Sequence, residues 1–409
     1  MLSFNYSAHD PKTGKTVSGK VDAEDERSAS NLLVKEGLTP IEVKSEQEHN
    51  LLGFEKYFNR VASKDKVLFS RQMATLVNAG LPLLQALRNV NAQTTSKPFQ
   101  KVINDLIISV EGGASLSASM AKHKNIFNEV YVNLIAAGEA SGTLDKSLER
   151  LAIQQEKDAD IISKIRGAMA YPIIVICVMI VVIGFMVVKI IPGVAVLYNS
   201  LPGAKLPLVT IILLDVAHFF IKFWWIVIIL IGVIGFGSTR WARTVGGKRV
   251  IDKIKMKAWP IGPLFMKVYM ARFARTSATL VSSGVPLIQM LETTARAVNN
   301  VHIEDSIDKA IEQVKGGKAL SDALTNDKNF TPLVPNMIKI GEQSGTIDQM
   351  LDKVATYYET EVDNEINTIQ TLMEPVLMII LGIFAFIIVA AVLLPVYSLA
   401  NNNNLTSAF

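Results

Sequence analysis

Cysteine is nearly absent from this chain of 409 residues. Cys177 stands alone, which excludes an intrachain disulfide framework and a cysteine-based zinc site. It lies inside an apolar run, where a thiol is a small hydrophobe rather than a nucleophile. Aromatic residues make up only 7% of the chain and charged residues 19%. The formal charge of +4 is too weak to point to nucleic acid. The five histidines are scattered and none forms a His-x-x-x-His pair, so ligands with metal spacing are lacking. Gly14-Lys15-Thr16 ends like a P-loop, but His9 stands where the first glycine belongs; Gly246-Gly247-Lys248 has no Ser or Thr after it. No catalytic constellation and no cofactor are expected. The first 20 residues include Asp10, Pro11 and Gly14 and no apolar signal core, so the first half of the chain is expected in the cytoplasm.

What the chain has is apolar mass. Half of its residues are hydrophobic, and the mean hydropathy is +0.31. They gather in three runs, 173–191, 219–237 and 375–396. A helix of about 19 residues spans roughly 28 Å, close to the hydrocarbon thickness of a bilayer. Three such runs read as three membrane spans rather than buried core helices. Arg240, Arg243, Lys248, Arg249, Lys253, Lys255 and Lys257 follow the second run against one acid, Asp252. The tail 397–409 has no charge. The positive-inside rule then places the N-terminus inside and the C-terminus outside. Asp215, His218 and Lys222 are not read as an intramembrane relay: Leu208–His218 forms a polar extension outside the bilayer, Lys222 snorkels, and Trp224 and Trp225 sit in the headgroup belt.

The chain also repeats itself. Residues 69–87 align with 273–291 at an offset of 204, matching Arg71 to Arg275, Gly80 to Gly284 and Pro82 to Pro286. The register holds through Leu116-Ser117 and Leu320-Ser321, loses one residue before Phe127 and Phe330, and continues at 203. There Gly138-Glu139-Ala-Ser-Gly142-Thr143 faces Gly341-Glu342-Gln-Ser-Gly345-Thr346. It ends at Tyr171-Pro172 and Glu374-Pro375, where each copy enters an apolar run. Phe69, Met73, Leu76 and Val77 form one helical stripe. Gly80 stops that helix in a left-handed conformation and Pro82 suits the first turn of the next, so each copy reads as a helical bundle with short joints. Thr143 is expected to cap the helix after it, and Thr346 with Gln349 to form a capping box. For Glu139 and Glu342 two readings stand: each binds a cation or partner arginine, or each is an acid near a helix terminus or buried with a bundle partner. Glu374, at the mouth of the third run, either keeps polar company with a proline-freed carbonyl or meets a partner.

The expected architecture is a mainly α membrane protein with two repeated cytoplasmic bundles, three transmembrane helices and a small N-terminal β-hairpin–α–β module. Its segments are the module (1–44), a linker with an amphipathic helix (45–63), the first bundle (64–170), the first span (171–192), an exterior loop and helix (193–218), the second span (219–237), a basic cytoplasmic connector (238–267), the second bundle (268–373), the third span (374–396) and an exterior tail (397–409). The amphipathic helix is expected to pack on the neighbouring bundle in preference to the membrane surface.

With Tyr6-Ser-Ala-x-Asp10, Gly14 and Gly19, the paired Phe-x-Arg-x-x-x-x-Leu-x-x-x-Gly-x-Pro-Leu segments, the two Gly-Glu-x-Ser-Gly-Thr turns, and Tyr-Pro and Glu-Pro before the spans, the chain resembles the inner-membrane platform proteins of type IV pilus and type II secretion systems, the PilC/GspF family. The resemblance covers essentially the full length. It implies a nonenzymatic platform in the bacterial inner membrane, engaged by a cytoplasmic hexameric ATPase, that handles pilins or pseudopilins alongside other inner-membrane assembly proteins and works as a homo-oligomer. The competing reading, a membrane transporter or channel component, is opposed by the lack of a charged pore stripe and by the mass placed in two soluble bundles. A membrane-bound enzyme is opposed by the missing catalytic cluster.

Overall fold

A computed structural model of the chain describes residues 2–9, 16–23, 26–35, 37–45, 61–190, 192–193, 196, 208–242, 244–259 and 261–400. Residues 10–15, most of the expected linker and amphipathic helix (45–63), most of the loop up to 207 and the tail 401–409 lie outside these residues. The chain resolves into two compact units. One comprises Met1–Lys66 and Asn91–Asn104, the other Val67–Val90 and Asp105–Phe409.

In the first unit, β1 (Leu2–His9) lies between β2 (Thr16–Ala23) and β3 (Thr39–Ser45), antiparallel to both. α1 (Glu26–Lys35) buries Ala29 and Leu33. Tyr6 faces Gly19 across β1 and β2, and its ring covers the glycine so closely that an added Cβ would stand 2.9 Å from the Tyr6 hydroxyl.

Helices follow: α2 (Ser63–Asn78), α3 (Leu83–Gln93), α4 (Lys97–Glu111), α5 (Leu116–Ala121), α6 (Glu129–Ser141) and α7 (Leu144–Phe185), the last running into a π-helical turn at Met186–Ile190. α8 (Leu208–Ala242) and α9 (Val245–Lys257) come next. The second copy is α10 (Gly262–Ser282), α11 (Leu287–Val298), α12 (Val301–Lys315), α13 (Leu320–Leu324), α14 (Leu333–Ser344) and α15 (Ile347–Ala400).

Within the second unit the two copies build the same core from equivalent residues. Phe69, Leu87, Leu116, Phe127 and Leu151 are buried in the first, and Phe273, Leu291, Leu320, Phe330 and Val354 in the second. The ring of Phe69 lies 6.0 Å from that of Phe127, and Phe273 lies 5.0 Å from Phe330. In the first copy Tyr131 is fully buried and shares a 3.1 Å hydrogen bond with Ser70; burial pushes its phenol well above the usual range, so it stays a neutral partner.

The joint after the first helix of each copy depends on glycine. Gly80 (φ +85°) and Gly284 (φ +81°) are left-handed, which lets Leu81 N–H reach the Leu76 carbonyl at 3.1 Å and Val285 N–H reach that of Leu280 at 3.1 Å. The prolines sit one position earlier than the first helical turn: Pro82 and Pro286 precede α3 and α11, and their carbonyls accept the first amides, Ala86 at 2.9 Å and Met290 at 2.8 Å. A β-branched side chain is badly placed at such a φ. Gly80→Val and Gly284→Val are expected to cost about 1 kcal/mol or more each. Thermal melts of the detergent-solubilised protein check this, and unchanged melting in both variants would remove the role given to these joints.

Among the described residues, three helices are long and apolar enough to cross a membrane, by length and composition: α7 with its π turn, the portion Trp225–Ala242 of α8, and α15. α7 contains Pro172 within its length, and α15 contains Pro375. Neither helix breaks there, so each copy's last helix continues from the bundle into its apolar stretch. α8 kinks at Phe223 (φ −115°, ψ 18°), and Asp215 and Lys222 precede the kink. Ile174, Val181, Phe236 and Phe386 are among many large apolar side chains left exposed along these stretches, as a lipid-facing surface requires.

Candidate functional site

The residues that stand out are those tying each long helix to its bundle, and they occur twice. Arg71 on α2 reaches across to α7. Its Nη1 donates to Glu149 at 2.7 Å, while its Nε and Nη2 grip both oxygens of Glu156 at 2.6 and 2.5 Å. Arg275 on α10 does the same to α15, with Nε donating to Glu359 at 2.8 Å and Nη1 to Asp352. The hydrogen bonds it donates to Glu156 and Glu149 hold the Arg71 guanidinium far above its ordinary value. Burial of Arg275 works against its charge, but Glu359 and Asp352 outweigh it and raise that guanidinium too. The copies differ in solvent access: Arg275 and Glu359 side chains are 17% and 12% exposed, Arg71 and Glu156 34% and 40%.

Glu139 and Glu342 are settled inside their own bundles. Glu139, on α6, accepts the N–H of Leu116 at 2.5 Å, the N–H of Ser117 at 3.1 Å and the Ser117 hydroxyl at 2.5 Å. Glu342, on α14, accepts Leu320 N–H at 2.6 Å, Ser321 N–H at 3.3 Å and the Ser321 hydroxyl at 2.5 Å. Each carboxylate therefore occupies the positive end of a short helix, α5 or α13, whose first amides have no helical acceptor. The contacts seen are those of an acid at a helix terminus of its own bundle.

The turns that follow are closed by Gly142 (φ +68°) and Gly345 (φ +72°). The threonine after the first does not cap as expected. Thr143 makes no side-chain cap bond, and its hydroxyl pairs instead with Ser141 at 2.7 Å; Thr346 pairs with Ser344 at 2.6 Å. The glycine brings the preceding serine close enough to take the hydroxyl. Gly138 and Gly341 let the helices cross: a Cβ on Gly341 would lie 2.8 Å from Ile347 Cα, and one on Gly138 2.5 Å from Ser147 Oγ.

Further along, Tyr171 is exposed and Pro172 buried on α7, while Glu374 and Pro375 are exposed on α15. These four are not brought to the arginine clamps.

The two copies also grip each other at the base of the long helices. Leu264 and Val268 of α10 pack with Val362, Ile366 and Ile369 of α15, and Ile161, Ile165 and Ala168 of α7 close on that cluster. Gln154 donates to Thr276 Oγ1 at 2.9 Å in a buried contact, and Arg150 donates to the Ser282 carbonyl at 2.5 Å and to Ser283 Oγ at 2.9 Å. Lys164 bonds both oxygens of Asp363 at 2.8 Å. Among the described residues no group of His, Cys, Asp and Glu is placed to hold a metal ion. What this arrangement can do is mechanical: it fixes the roots of α7 and α15 to their bundles and to one another.

The acids of the clamps were not singled out from sequence. Glu149 and Asp352, and Glu156 and Glu359, stand at the same offset of 203 as the rest of the repeat. An acid kept at both positions was the available signal.

Comparison with known proteins gives the same twofold pattern. The family model for type II secretion system (T2SS), protein F, matches residues 69–192 and again 273–395. That for the type II secretion system protein F, N-terminal domain, matches residues 1–44. The chain is 37% identical over 406 residues to the type IV pilus assembly protein PilC of Thermus thermophilus, covering 98% of each. It is 35% identical to the Pseudomonas aeruginosa protein of the same name, covering 90% of this chain and 98% of that one. To the type II secretion system protein F of Pseudomonas aeruginosa it is 34% identical, covering 98% of this chain and 99% of the other.

Proposed function

The chain belongs to the type II secretion system protein F family, and from that premise we propose that it is the inner-membrane platform of a type IV pilus or type II secretion machine, coupling a cytoplasmic assembly ATPase to the insertion of pilin or pseudopilin subunits into a filament. The observation that supports this is the unbroken passage of α7 and α15 from clamped bundle into apolar span. A load applied to either bundle reaches the bilayer through one continuous helix.

In this reading both bundles and the N-terminal module face the cytoplasm and the tail faces outward, as the lysine and arginine bias after α8 favours. The bundles offer the ATPase its docking surface, and the chain works as a homo-oligomer beside other inner-membrane assembly proteins. Energy comes from the separate motor, so the purified protein is expected neither to bind nor to hydrolyse ATP.

Deleting the gene is expected to abolish filament assembly or filament-dependent secretion while ATPase and pilin remain present, and the protein is expected to co-purify with that ATPase. Normal filaments in the deletion strain would refute the reading. For topology, single cysteines introduced at Asn402 and Lys124 in a Cys177→Ala background should label from outside and only after permeabilisation, respectively. The reverse pattern would invert the orientation.

A further inference from the structure

The helix that joins the second span to the second bundle has two unlike faces. α9 begins three residues after α8 ends, so its first turn lies where the span finishes. The turn between them is tight: Thr244 Oγ1 accepts Gly247 N–H at 3.1 Å, and a Cβ on Gly247 would stand 1.9 Å from the Trp241 carbonyl oxygen. α9 therefore stays against the end of α8.

One face of α9 is committed to the second bundle. Asp252 is buried and accepts the Val301 N–H at 3.1 Å at the start of α12, and Arg249 pairs with Asp305 at 2.8 Å. The other face is exposed and divided. Val250 and Ile254, one turn apart, form a short apolar ridge. Lys253 and Lys257, also one turn apart, lie beside it and pair with no acid among the described residues. Trp259, just past the helix, is 82% exposed.

Basic and apolar ridges side by side, with an exposed tryptophan at the end, suit the boundary between headgroups and acyl chains. We propose that this face of α9 lies on the membrane and binds anionic phospholipid headgroups, with Lys253 and Lys257 on the phosphates and Val250, Ile254 and Trp259 in the upper acyl layer. Two observations select lipid as the occupant. The helix follows a span after a tight turn, so the bilayer is within reach of it, and its free charges are complementary to an anionic leaflet. The proposal rests on α8 crossing the bilayer, and not on which side the N-terminus lies.

The test uses the full-length protein reconstituted in lipid nanodiscs, with Trp224, Trp225 and Trp241 replaced by Phe so that Trp259 alone reports. Brominated phosphatidylglycerol is expected to quench Trp259 several-fold more than brominated phosphatidylcholine at equal mole fraction, and aqueous iodide to quench it little. Lys253→Glu with Lys257→Glu should erase the several-fold preference, with an unchanged far-UV circular dichroism spectrum as the folding check. If iodide quenches Trp259 freely and neither lipid does, the face is open to water or to a protein partner and the proposal is wrong. Equal quenching by the two lipids would also overturn it, since headgroup charge would then play no part. Both leaflets carry the brominated lipid, so orientation does not affect the result. A second reporter with Trp225 alone, at the start of the apolar part of α8, tests the span itself: quenching there without quenching at Trp259 isolates failure to α9.

Discussion

Arg275→Met should loosen the second bundle from its long helix, and Arg71→Met should loosen the first by much less. Removing the guanidinium leaves Glu359, only 12% exposed, with Lys157 at 3.6 Å as its remaining cation. Breaking a fully buried ion pair costs roughly 3–5 kcal/mol; with Lys157 still near and Asp352 facing water, about 2 kcal/mol is expected here. Arg71 and its partners are each about a third exposed or more, where such contacts contribute about 1 kcal/mol or less. Amide hydrogen exchange measures both as local opening free energies in α10, α15, α2 and α7. The double variant Arg275→Met, Glu359→Gln should recover a large part of the loss, because no uncompensated charge remains. Equal effects at Arg71 and Arg275 would mean that burial does not set the strength of these clamps.

Gly341→Val should be the most damaging single change at the turn from α14 into α15. The added Cβ would meet Ile347 Cα at 2.8 Å and Ile347 N at 3.2 Å. These are backbone atoms at the first residue of α15, so relief requires moving the whole helix. Overpacking of this kind costs about 3 kcal/mol. At Gly138 the nearest atoms belong to the Ser147 side chain, with the Leu144 backbone at 3.1 Å, so Gly138→Ala should be milder. The checks are the melting temperature of each variant and filament assembly in cells producing it. Melting of the Gly341 variant at the wild-type temperature would show that the helix crossing has slack.

Much of the helical architecture was legible because its signals are local or repeated. An apolar stripe, a glycine and a proline fall within 14 residues at each first joint, and the same string recurs some 204 positions later. The span entries were legible from charge-free length alone. The clamps were harder to read, because Glu149 and Glu156 look like the solvated face of any helix and their arginine lies 78 and 85 residues away. The carboxylates of Glu139 and Glu342 needed the fold as well, since nothing local says that a helix start 22 residues upstream will meet them. Thr143 was misread for a different reason: a capping residue competes with its neighbours, and Ser141 won. The bend at Phe223 has neither glycine nor proline to announce it.

One consequence of α15 concerns leverage. A helix of 54 residues measures roughly 80 Å. Glu374 and Pro375 fall near its midpoint, leaving about 27 residues, roughly 40 Å, on either side. If the bilayer surface acts as the pivot there, the two arms are equal and the gain is close to one. A sideways stroke at the clamped end then emerges at the far end undiminished but also unmagnified, and in the opposite direction. The proline removes one backbone hydrogen bond at the pivot itself, where some bending costs least. Such a device passes on displacement rather than enlarging it, so the full stroke has to be made at the bundle.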